Sequence, residues 1–78
     1  MRARGITTVI GKRTHPTDRI VDMLKTVGEP QDRRVYVIRS DHWDEWRSEL
    51  WVDGEYVAQA HRASLQAAKV TADALMTP

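Results

Sequence analysis

Seventy-eight residues suffice for one domain with a modest core, because so short a chain buries only a little over ~60% of its extended surface. Charged residues are 29% and hydrophobic ones 41%, ordinary globular proportions, and the lack of cysteine excludes disulfide stapling and thiolate metal sites. The net charge of +1 hides a divided chain: residues 1–17 carry Arg2, Arg4, Lys12 and Arg13 with no acid, while residues 40–55 set Asp41, Asp44, Glu45, Glu49, Asp53 and Glu55 against Arg47 alone, which a uniform nucleic-acid binder would not need.

Residues 1–16 read as a basic N-terminal arm, in which Ile6-Thr-Thr-Val-Ile10 is either a short strand or an ordered arm. Residues 17–78 read as a single α+β domain. Ile20, Met23, Leu24 and Val27 fall at i, i+3, i+4 and i+7, which predicts a helix from Thr17 to Val27 that Gly28 and Pro30 terminate. Arg34-Val-Tyr-Val-Ile-Arg39 alternates as a strand, and Ser40 to Glu45 is a polar loop carrying Trp43.

Two extended runs, Trp46–Val52 and Glu55–His61, flank Asp53-Gly54, a pair suited to the positive φ values of a type I′ turn. A regular two-residue hairpin would pair Val52 with Glu55, Leu50 with Val57, Ser48 with Gln59 and Trp46 with His61 on one face. Trp51 with Tyr56, Glu49 with Ala58 and Arg47 with Ala60 would lie on the other. Ser64 is placed to cap a final helix whose stripe is Leu65, Ala68, Ala72, Leu75 and Met76. The expected order is (β)-α-β-β-β-α: a three-stranded antiparallel sheet, with Ile6–Ile10 available as a further strand, both helices on one face and the far face open.

That order resembles the double-stranded-RNA-binding domain over residues 17–76. The resemblance is carried by His42-x-x-x-Trp46 and by Ser64-Leu-Gln-Ala-Ala-Lys69, which stands where the family writes Ser-Lys-Lys-x-Ala-Lys. It implies an RNA-binding scaffold in which Lys69 and His42 occupy contact positions. Ser40-Asp41 replaces the family's Gly-Pro, and Leu65 and Gln66 replace two of its lysines. A weaker likeness is to the three-strand-plus-helix arm-type DNA-binding domain of phage integrases, with Trp46–Val57 as its strand pair and Ser64–Ala68 as its helix start.

No motif for catalysis is present. The three histidines form no HxH or HExxH spacing, Gly-x-Ser-x-Gly is absent, and four glycines build no phosphate loop, so neither an enzyme nor a metal or cofactor is expected. No apolar run approaches the ~20 residues that span a bilayer, and Met-Arg-Ala-Arg-Gly lacks the apolar stretch of a signal peptide, which suggests a cytoplasmic protein with no membrane partner. The best lead is the aromatic pair Trp51 and Tyr56 with Arg47 and Glu49 beside it, since Trp, Tyr and Arg dominate binding hot spots.

The leading expectation is a non-enzymatic binding or inhibitor protein, similar in size and style to phage-encoded inhibitors such as anti-CRISPR proteins. It would dock on a basic surface of a larger protein or nucleoprotein, with Asp41, Trp43, Asp44 and Glu45 joining that interface. The alternative is nucleic-acid binding through His42, Arg62, Lys69 and the arm residues Arg2, Arg4, Lys12 and Arg13. Self-association through the open face or an edge strand is a third possibility.

Overall fold

The computed structural model describes residues 6–8, 15–26 and 31–77. Its elements are β1 (Ile6–Thr8), β2 (Arg19–Lys25), β3 (Arg33–Ser40), β4 (Glu45–Val52), β5 (Glu55–Arg62) and α1 (Leu65–Met76). Four long strands and the three-residue β1 form one antiparallel sheet in the order β1-β5-β4-β3-β2. The single described helix, α1, packs on one face, with most of its contacts on β3 and β4.

The expected first helix is corrected: its residues form β2. A helix would have buried Ile20 and Met23 on one stripe, yet they are 63% and 44% exposed. An isolated helix of about 11 residues is marginal without tertiary packing. The same segment contains the β-branched pair Ile20-Val21, and pairing it with β3 satisfies a row of backbone groups that would otherwise be an open edge. Val21 is the extra residue of a bulge, between the Ile20–Ile38 and Asp22–Val37 pairs. The expected stops at Gly28 and Pro30 lie outside the described residues.

The hairpin turn forms as the residue pair dictates, with Asp53 at φ 52° and Gly54 at φ 81°. Val52–Glu55 and Trp51–Tyr56 pair as expected. The register then slips by one residue, because Val57 is a bulge and Leu50 faces Ala58, Glu49 faces Gln59, Ser48 faces Ala60 and Arg47 faces His61. The expected pairings of Leu50 with Val57 and Trp46 with His61 are therefore corrected, and Val57 is exposed.

The helix-side core consists of Val35, Val37, Leu50, Ala68 and Ala72, flanked by Leu24, Trp46, Val52, Leu65, Leu75 and Met76. The alanines let α1 lie close to the sheet, close enough for the Ser48 hydroxyl to donate to the Ala68 carbonyl at 2.7 Å. Ser64 caps the helix as expected, accepting from the Ala67 amide at 3.1 Å. No helix among the described residues is long and apolar enough to cross a membrane.

Candidate functional site

Register places the far-face side chains in three rows that cross the sheet. Lys25, Arg34, Trp51 and Tyr56 make the row nearest the hairpin turn. Met23, Tyr36, Glu49 and Gln59 make the next, and Ile20, Ile38, Arg47 and His61 the third. The expectation of a fully open far face is corrected, because the middle of these rows is sealed. Arg47, Glu49 and Gln59 are buried, as is Glu45 at the start of β4.

A buried guanidinium must find acceptors, and Arg47 has three carboxylates. Its Nε donates to Glu49 at 2.9 Å, its Nη1 to Glu45 at 3.3 Å and its Nη2 to Asp18 at 2.9 Å. Glu45 and Glu49 reach it because residues two apart on a strand share a face. Asp18 arrives from the 15–18 turn, which is closed by hydrogen bonds between His15 and Asp18 in both directions.

Burial alone would raise the Asp18 carboxyl, but hydrogen bonds from Ser40 and Arg47 outweigh it and hold the pKa below the usual value. Burial likewise works against the Arg47 charge and is outweighed by Asp18 and Glu49, so its pKa moves up. His61 Nδ1 lies 3.0 Å from Glu45 Oε2, close enough for an ion pair but without hydrogen-bond geometry.

Aromatic rings stand on the hairpin side of this network. Trp51 Nε1 donates to Glu49 at 3.2 Å, tying the indole to the charge cluster. Its ring meets Tyr56 at a centroid distance of 5.4 Å and 68°, and Tyr36 at 6.3 Å and 86°. All three rings are half-buried. Burial, and then the Glu49 charge, push the Tyr56 phenol well above its ordinary pKa. A pocket of about 170 Å³ opens beside them, lined by Asp32, Arg34, Tyr36, Trp51 and Gly54.

The expected interface residues thus separate into two places. Arg47, Glu45, Glu49, Trp51 and Tyr56 come together on the far face, the three charged ones as its sealed interior. Asp41, Trp43 and Asp44 occupy the turn that precedes Glu45 at the start of β4, roughly 20 Å from Trp51 by strand rise.

The acids of that turn are answered from within the molecule. Asp41 pairs with Arg19 at 2.6 Å and Arg39 at 3.1 Å, and Asp44 pairs with Arg39 at 3.0 Å. Arg19 and then Arg39 hold the Asp41 carboxyl below its usual pKa. Trp43 is 44% exposed and packs edge-on against His42.

The expected nucleic-acid residues do not converge on a common surface. His42 stacks on His15 at 4.0 Å, Arg62 turns inward to Thr71 at 2.9 Å, and Lys69 lies 3.9 Å from Asp22. Arg2, Arg4, Lys12 and Arg13 lie outside the described residues.

Tyr36 and Asp18 are the residues of this face that sequence reasoning misses. Tyr36 was legible, since it alternates with Val35 and Val37 and must share the face of Trp51. Asp18 had no local signal, because its partner lies 29 positions away. No family model, curated protein or solved structure matches the chain.

Proposed function

We propose that this chain is a non-catalytic binding module, a small cytoplasmic inhibitor-type protein that docks on a larger protein or nucleoprotein through Tyr36, Trp51 and Tyr56. The observation that carries the reading is the contact of Trp51 with both tyrosines on a half-exposed face, above ion pairs that fix the indole. Rigid aromatic groups lose little entropy on docking, which is why they anchor interfaces. The nearby pocket of about 170 Å³ is well below the ~300–1,000 Å³ of small-molecule sites, which argues against a substrate cleft. The acids at 41 and 44 pair within the molecule with Arg19 and Arg39, so the reading rests on the aromatic face and not on them.

The test is affinity capture with wild-type protein and Trp51→Ala, alongside thermal melts of both. The expected result is loss of the captured partner by a variant that still melts cooperatively, with a midpoint lowered by about 10 °C or less. Unchanged capture by the folded variant would refute the reading.

A further inference from the structure

We infer that the outer edge of β2 is a docking site for an extended strand of a partner protein, and that the Asp22 carboxylate covers this edge until the strand arrives. The inference goes beyond the aromatic face. Met23 borders Tyr36 across the sheet, but neither the Trp51 ring nor its pocket takes part.

Backbone chemistry comes first. β2 is the last strand of the sheet, and β1 at the other edge spans only three residues. Thr26 donates its N–H inward to the Arg33 carbonyl at 3.0 Å. Alternation along the antiparallel pair then turns the N–H and C=O of Asp22 and Leu24 inward as well, and those of Met23 and Lys25 outward. The bulge at Val21 limits this regular row to residues 22–25. Donors and acceptors so spaced are matched by another extended backbone.

The second observation lies at Met23. Its outward N–H donates to Asp22 Oδ1 at 2.8 Å. That oxygen takes the role of the carbonyl an added strand would bring. The carboxylate is half-exposed, and its other oxygen lies 3.9 Å from Lys69 Nζ, an ion pair to which it can turn when a strand accepts the Met23 N–H instead.

Side chains come third. Among the described residues six large apolar side chains are exposed, and Ile20, Val21 and Met23 put three of them on this one strand. Arg19 is answered by Asp41 and Asp22 by Lys69, so the edge selects its occupant by backbone and apolar contact. A second copy of the chain fits poorly. Pairing β2 with its own copy along the full strand would set Asp22 against Asp22 and Arg19 against Lys25, like charges facing each other. The occupant is therefore a strand of a different protein.

The experiment is an NMR titration of the ¹⁵N-labelled full chain with the peptide acetyl-Lys-Thr-Ile-Thr-Val-Thr-Lys-amide. The control is the same peptide N-methylated at its isoleucine and valine, which keeps the side chains and removes those hydrogen-bond donors. The Met23 and Lys25 amide signals are expected to shift saturably, half-complete in the millimolar range. Their exchange with D₂O is expected to slow about threefold or more in the complex, while the Asp22 and Leu24 amides, which face β3, change little. The methylated peptide is expected to give no saturable shift. Asp22→Ala, which frees the Met23 N–H, is expected to tighten peptide binding about threefold.

No saturable shift at Met23 and Lys25, or an equal shift with the methylated peptide, would overturn strand addition. An Asp22→Ala affinity equal to or below wild type would overturn the covering role of Asp22. Sedimentation showing that the chain alone dimerises, and that Met23→Pro makes it monomeric, would assign the edge to a second copy and overturn the partner strand.

Discussion

Arg47 and Glu49 stand two residues apart on β4 and meet side chain to side chain at 2.9 Å, both shut away from solvent. A lone ion pair in such a place is a poor bargain, since desolvating two charges costs several kcal/mol each. The arrangement holds because Arg47 also reaches Asp18 and Glu45, and Glu49 also receives the Trp51 indole. The network is thus at once the far layer's filling and the mount for the aromatic surface.

Arg47→Met tests that role directly. The substitution keeps the bulk and strands Asp18, Glu45 and Glu49 in a buried setting. Removing one partner of a buried pair costs about 3–5 kcal/mol, comparable with the whole stability of a small domain. The variant is expected to be largely unfolded at 25 °C, or to lose more than half of its urea midpoint, followed by far-UV circular dichroism. A midpoint close to wild type would mean that these carboxylates find other partners or water.

Acid should loosen the same network. The Asp18 carboxyl titrates below its unfolded value of about 3.9. Its contribution to stability is therefore complete above that value and disappears as pH falls through the lower, folded one. Urea midpoints measured from pH 7 to pH 2 should be flat at first and drop below about pH 4. Asp18→Asn should start lower at pH 7 and show a shallower acid decline. Parallel curves for the two proteins would remove Asp18 from the account.

Gly54→Ala separates backbone strain from crowding. A methyl group added at Gly54 meets no atom within 4 Å, so sterics with neighbours cost nothing. Its φ of 81° lies in the left-handed region, where an L-residue pays about 1–2 kcal/mol. The expected thermal shift is a fall of roughly 4–16 °C, with Trp51 still packed against Tyr56 by near-UV circular dichroism.

Legibility in the sequence followed periodicity and local chemistry. Asp53-Gly54 specified its turn, Ser64 its cap, and the alternation of Val35, Val37, Leu50 and Val52 the helix side of the sheet. Three things were hidden. Ile20, Met23 and Leu24 satisfy a helical stripe, and only the unpaired edge of β3 makes a strand the better use of them. Val57 carries no glycine or proline to announce a bulge. The polar letters Glu45, Arg47 and Glu49 read as solvent-facing, yet they fill an interior in which Arg47 pairs with both acids, and the slipped register brings Gln59, expected opposite Ser48, beside Glu49. Arg47 flanked by acids at i−2 and i+2 was the one available clue, because a strand sets all three on the same side.

The bulge at Val57 decides which residues stand across from the network. With it, His61 faces Arg47 and Ala60 lies beneath the helix; without it, those two would trade places, and imidazole would be forced into a space fitted to a methyl group. Residue count along this strand thus matters as much as residue identity: shortening the segment by one position would turn everything downstream inside out.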